Sequence, residues 1–154
     1  MLRITLAVLH LLALGIGLGA VYARARSLNN VSSTGDTLRR AFVADTWWGV
    51  AAGLWITTGL WRALAGTEKT PSYYWHNHIF LAKMGFLVVI LALEIWPMVT
   101  LIRWRVAEAR QTLPPAAELS ATGRRMARIS DVQTLLVVAM VIAAVMVARG
   151  YGAR

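Results

Sequence analysis

Four stretches of this chain are apolar for long enough to cross a bilayer core of ~30 Å as helices. Nothing else in it constrains the fold as strongly, because a backbone in hydrocarbon must satisfy its polar groups internally. The stretches predict helices over about residues 3–23, 45–65, 76–103 and 130–148. With their connections they consume all 154 residues, so no separate soluble domain fits. The expectation is an all-α, integral-membrane, up-and-down four-helix bundle, one domain over residues 1–154. The first stretch begins with Arg3 and ends near a small-x-small pattern, Ala23-Arg24-Ala25, as a secretory leader would. Its apolar length of about twenty residues exceeds a leader's core, and it reads as the first helix.

Charge is confined to the connections and sets topology. The net charge of +9 sits beside membrane spans, which excludes a nucleic-acid partner. The first connection has Arg24, Arg26, Arg39 and Arg40, and the third has Arg103, Arg105, Arg110, Arg124, Arg125 and Arg128. The second, Gly66 to Trp75, holds only Glu68 and Lys69. By the positive-inside rule, the first and third connections are cytoplasmic and both termini lie on the opposite, periplasmic side. Ser32-Ser33-Thr34-Gly35-Asp36 reads as a turn and helix start, and Pro114-Pro115 as a break. The absence of cysteine removes disulfides, thiolate metal sites and thiol nucleophiles. No G-x-G-x-x-G, Walker, H-E-x-x-H or G-x-S-x-G motif is present.

The polar residues inside the apolar stretches are the candidates for function. An ionisable side chain in hydrocarbon costs roughly 2.5 to 3.5 kcal/mol and turns toward a partner or a cavity. In the third stretch, His76, Lys83 and Glu94 fall within roughly 40° of one another on a helix. In the first, His10 lies at nearly the depth of Lys83, with His76 and His78 at the outer rim. An inner layer of Arg24, Asp45, Glu94, Arg128 and Asp131 is expected at the cytoplasmic mouths, with Glu94 pairing to Arg24 or Arg128. Lys83 and Glu94 are about 16 Å apart along one helix, so each needs its own partner or a ligand between them.

Several chemistries suit such residues. His10 can ligate a b-type haem, since imidazole is a usual axial ligand, and otherwise serves as a hydrogen-bonded packing residue. His10, His76 and His78 are the metal-ligand candidates, although residues two apart point about 200° apart on a helix. Lys83 and Glu94 are the candidates for proton transfer, and Lys83 can also snorkel to the surface. Trp47, Trp48 and Trp61 read as an interfacial belt, and Asp45 as a possible helix cap. Gly15/Gly19 and Gly49/Gly53 form GxxxG pairs that permit close helix approach. Met84, Met98, Met140 and Met146 read as packing.

Leu9-His10-Leu11-Leu12-Ala13-Leu14-Gly15, Ala44-Asp45-Thr46-Trp47-Trp48-Gly49, His76-Asn77-His78 with Ala82-Lys83-Met84-Gly85, Leu93-Glu94-Ile95-Trp96-Pro97-Met98, and Ala127-Arg128-Ile129-Ser130 carry a resemblance. Across essentially its whole length the chain resembles a family of bacterial four-helix membrane proteins catalogued as a domain of unknown function. More distantly it is similar to HemJ-type protoporphyrinogen oxidases and copper-resistance D-type membrane proteins. The HemJ likeness implies haem b, with His10 as iron ligand, Lys83 positioning a carboxylate, and Arg24 and Arg128 anchoring anionic groups. Arg128-Ile129-Ser130-Asp131-Val132-Gln133 keeps the Arg and an acidic residue of that type's fourth helix but lacks its Asn and Pro. The His that ends that type's third helix is also absent. The expected protein is therefore a multi-pass bacterial inner-membrane protein binding haem b or a related tetrapyrrole, with a HemJ-like redox role. A quinone-like small molecule suits the same interior. A non-catalytic subunit of a homo-oligomer or larger membrane complex, and a small proton or metal-ion transporter, are the competing readings.

Overall fold

The computed structural model describes residues 1–31, 35–64 and 76–152. It is all-α: α1 Leu2–Asn29, α2 Asp36–Leu64, α3 His78–Ala109 and α4 Ala116–Ala148. The residues 32–34 of the expected turn, the second connection with Glu68 and Lys69, and Arg154 lie outside the described residues. Three helices, α1, α3 and α4, are long and apolar enough to span a membrane. The fourth expected span, α2, falls short by that measure; Trp47, Trp48, Thr57, Thr58, Trp61 and Arg62 lower its hydropathy.

The helices run well past the apolar stretches, most of all at the inner end. There α4 begins at Ala116 rather than near Ser130, after a Pro115 N-cap. Its buried residues Leu119, Gly123, Met126, Ser130, Gln133, Val137, Met140, Ala143 and Val147 recur every three or four positions. This is one inward stripe across the polar and the apolar halves alike. On α2, Leu38, Ala41, Ala44, Trp48, Ala51, Trp55 and Thr58 do the same. Hydropathy alone stops where the polar outer face begins, whereas the helix continues because its inner face stays apolar.

Helices α1 and α2 are antiparallel neighbours in space, and so are α3 and α4. Arg24, Gly17 and His10 of α1 meet Asp45, then Trp48 and Ala51, then Trp55, Thr58 and Gly59 of α2. On its other side α1 packs on α4, with Leu28 and Val31 against Gly123 and Arg24 against Ser130. A β-carbon on Gly123 would come within 2.7 Å of the Leu28 carbonyl oxygen, so the two helices approach here at a distance only glycine permits. Helix α3 packs on α4 but touches α2 narrowly, and the described contact is at the inner end, where Arg105 donates to the Phe42 carbonyl at 2.7 Å.

Two apolar clusters result. The inner one joins Leu28, Leu38, Phe42, Leu101, Trp104, Leu119 and Met126; the outer joins Ala13, Val21, Trp48, Trp55, Ile90, Val137 and Met140. Outward, Leu9, Leu12, Val88, Ile95, Leu135 and Ile142 are all exposed, a surface suited to lipid rather than water.

Candidate functional site

Between the two apolar clusters lies a polar knot centred on Arg24, whose side chain is 0% exposed. Burying a guanidinium is tolerable only if its donors are satisfied, and here all five N–H groups are. Nε donates to Ser130 Oγ at 3.1 Å, and Nη1 to Asp45 Oδ1 at 2.9 Å and Glu94 Oε1 at 2.6 Å. Nη2 donates to Glu94 Oε2 at 2.8 Å and to Gln133 Oε1 at 2.9 Å. The Arg24 to Glu94 pair is thus bidentate and crosses the diagonal of the bundle, from α1 to α3. Gln133 returns its amide to Glu94 Oε2 at 2.8 Å and to the Ile90 carbonyl at 3.2 Å. Arg105 donates to Asp45 Oδ2 at 2.9 Å and to Thr46 Oγ1 at 3.2 Å. Two guanidinium groups meet two carboxylates, so the knot is neutral. The Trp48 ring lies beside Arg24, 5.9 Å from Cζ to centroid, and adds cation–π attraction.

The expected inner layer is therefore present in part. Arg24, Asp45 and Glu94 come together, but Arg128 is exposed and stands outside the knot, and Asp131 pairs instead with Arg26 on the outer face. Arg128 lies two residues from Ser130, about 200° away around the helix. Its expected place belongs to Ser130 and Gln133, whose only sequence signal was their position on the inward stripe. Arg105, read as a topology signal, braces Asp45. Asp45 lies nine residues inside α2, so it is an ion-pair partner and not a cap. Trp47 and Trp61 are exposed as a belt requires, whereas Trp48 is buried against Arg24.

Toward the outer end a cavity of about 380 Å³ opens among all four helices. His10 and Leu14 of α1, Trp55, Gly59 and Arg62 of α2, Phe80 and Lys83 of α3, and Met140, Val141 and Ala144 of α4 contribute to its walls. His10 and Lys83, matched in depth by the sequence, line this one space. Arg62 joins them and was missed, although an arginine near the end of an apolar stretch is the same kind of signal as Lys83. Gly59 makes room for the imidazole: a β-carbon there would stand 3.0 Å from His10 Cε1.

The His10 ring is held at both nitrogens. The Trp55 indole N–H donates to Nε2 at 3.0 Å, which makes Nε2 an acceptor and places the ring proton on Nδ1. Nδ1 then donates to Thr58 Oγ1 at 3.0 Å, and that hydroxyl donates onward to the Leu54 carbonyl at 2.6 Å. His76 precedes α3 and His78 is its first residue; both are exposed and neither lines the cavity. Of the metal-ligand candidates His10, His76 and His78, only His10 lines the cavity, and no cluster of three or more His, Asp or Glu suited to a metal ion occurs among the described residues. The helix starts two residues later than the stripe from His76 required, because Asn77 caps it, accepting from the Ile79 and Phe80 N–H groups at 3.0 Å. Asn77 also donates to the Tyr151 carbonyl at 2.9 Å, tying the end of the chain to the start of α3.

The cavity and the knot are separated by apolar side chains. Lys83 and Glu94 belong to different sites, with Phe86, Leu87 and Ile90 of the outer apolar cluster between them. The family model described as "Predicted membrane protein (DUF2214)" matches residues 2–152. The chain belongs to this family. No curated protein and no solved structure matches it. Membership agrees with the apolar outer surface and the three candidate spans.

Proposed function

We propose that this family member is a multi-pass protein of the bacterial inner membrane whose outer cavity binds a carboxylate-bearing apolar molecule of the tetrapyrrole class. The observation that carries it is one cavity of about 380 Å³ with apolar walls into which three helices bring His10, Arg62 and Lys83. Ligand sites are commonly of this kind, mostly apolar with a few convergent polar groups. Packing supports multi-pass insertion: α2 lies alongside α1 from Asp45 through Gly59, which favours the two crossing together. The arginine-rich first and third connections favour both termini in the periplasm.

The residues fit the acidic groups and apolar body of a tetrapyrrole, and do not fit its iron. Arg62 and Lys83 offer cationic donors to carboxylates. His10 Nε2, the nitrogen that would ligate haem iron, already accepts the Trp55 N–H. His10 here is a neutral hydrogen-bonding group at the cavity wall. Arg24 and Arg128 take no part: the first is saturated in the knot and the second is exposed. The test is titration of purified protein in mild detergent with protoporphyrin IX, followed by porphyrin fluorescence. Binding is expected, weakened roughly tenfold by Lys83→Ala or Arg62→Ala through loss of a charge-assisted bond. Trp55→Phe, which frees Nε2, should let added haem b develop a histidine-ligated Soret band that Trp55→Phe with His10→Ala lacks. Absence of porphyrin binding to the unaltered protein would discard this reading.

One observation favours the non-catalytic subunit. Gly15, Gly19, Gly49 and Gly53 are exposed, and a β-carbon on any of them would meet nothing within 4 Å. The GxxxG pairs are not used inside the bundle and remain on its surface for a neighbouring helix. Cross-linking in native membranes, compared with Gly15→Leu and Gly53→Leu, tests for a homo-oligomer or larger complex.

A further inference from the structure

The liners of the outer cavity are not equally covered. Leu11, Val145 and Ala148 are exposed, and all three belong to α1 or α4. Trp55, Met140 and Val147 are buried, and the remaining liners are half-buried. The cavity therefore reaches the surface at least along the α1 and α4 side. The two helices meet closely at the inner end, through Gly123 and the Arg24 bond to Ser130, and down to the cluster of Ala13 with Met140. Beyond that level the cavity lies between them.

The rim of this mouth is apolar. Leu11 and Val145 are 63% and 51% exposed, and Val8 and Ile142 beside them are exposed as well. A mouth meeting water would be expected to carry polar groups, whereas this rim is of the kind that suits hydrocarbon. The cationic groups, Arg62 on α2 and Lys83 on α3, come from helices other than the two that form the mouth. The cavity is thus apolar at the lipid side and positive on the wall beyond. We infer that its occupant is an anionic amphiphile resident in the outer leaflet, which enters sideways between α1 and α4 with its acidic group directed to Arg62 and Lys83. This rests on the proposal that those two side chains bind an acid. It goes further in naming the phase from which the ligand comes. Admission from the bilayer suits such a molecule because its apolar part never has to cross water.

The chain lacks cysteine, so a single introduced thiol reports access to the cavity without background. Ala144→Cys and, independently, Val141→Cys place that thiol on the cavity wall. In phosphatidylcholine vesicles, an N-alkyl maleimide dissolved in the bilayer should alkylate either variant faster than a charged, water-soluble methanethiosulfonate does. Leu11→Trp, which narrows the mouth, should slow the bilayer reagent severalfold, while Leu12→Trp, exposed but outside the cavity, should not. Oleate should protect the thiol and its methyl ester should not, and protection should weaken with Lys83→Ala. Faster labelling from water with no effect of Leu11→Trp, or equal protection by methyl oleate, would overturn the inference. Protection by oleate in a protein that takes up no protoporphyrin IX would remove the tetrapyrrole reading and leave this one standing.

Discussion

The inner and outer halves of this bundle solve the burial of charge in opposite ways. At the inner half Arg24 is sealed in and every donor is matched, with Asp45, Glu94, Ser130 and Gln133 closing around it from the other three helices. At the outer half His10, Arg62 and Lys83 line a space large enough for a ligand. The difference teaches that a charged residue in an apolar helix has two distinct meanings. A matched, neutral knot fixes register, since no sliding of one helix preserves all its bonds. A cavity lined by ionisable side chains leaves space beside them, and there the His10 bonds to Trp55 and Thr58 join only α1 and α2.

Breaking the knot should have the largest effect. Arg24→Ala leaves Asp45 and Glu94 without their shared guanidinium, and a cost of about 3–5 kcal/mol is expected from such an uncompensated buried charge. Denaturant titration in detergent reads it, and Arg24→Met combined with Glu94→Met should be less damaging than Arg24→Met alone. Additive losses in that cycle would show that the pair does not act as a unit.

The same substitution in the two halves gives a matched pair next. Gly123→Ala in the inner half forces a methyl into Val31 Cγ1 and against the Leu28 backbone, and about 1–3 kcal/mol of overpacking is expected. Gly59→Ala in the outer half meets only the His10 ring, which can shift into the cavity. A smaller stability loss is expected there, with altered porphyrin binding. Equal losses at the two sites would erase the distinction between a packed and an open half.

Trp55→Phe removes one hydrogen bond to His10 and should cost about 1 kcal/mol, within the usual range for such a bond. Its larger signature is spectroscopic, through the freed Nε2. Smallest of all, Gly15→Ala or Gly53→Ala should leave monomer stability within about 0.5 kcal/mol or raise it slightly, because the added methyl meets nothing. A marked loss of stability at either glycine would instead show that its face is covered in the folded protein.

Several features of this contrast were legible before any coordinates. The depth match of His10 and Lys83 and the inward turn of Arg24, Asp45 and Glu94 follow from helical period and the cost of charge in lipid. The exposed Trp47 and Trp61 follow from their places near the ends of an apolar stretch. Arg128 was misplaced because charge and depth say nothing about which way a residue faces near a helix end. Trp48 differed from Trp47 by a single position, and one residue turns a side chain by about 100°.

The sequence by itself determined the all-α membrane class, the four helices of the described residues and the depth of His10 and Lys83 at the outer site, because hydrophobic length and period are local properties of the chain. Only the tertiary structure decided who meets whom. That Arg24 takes Glu94 across the diagonal, that Gln133 and Ser130 replace Arg128, and that Trp55 holds His10 Nε2 depend on distances between helices. Those distances are set by small contacts such as Gly123 against Leu28, and by which face each helix presents. A hydrogen bond needs its partners within about 3 Å, a precision that a pattern of apolar and polar letters along one helix does not contain.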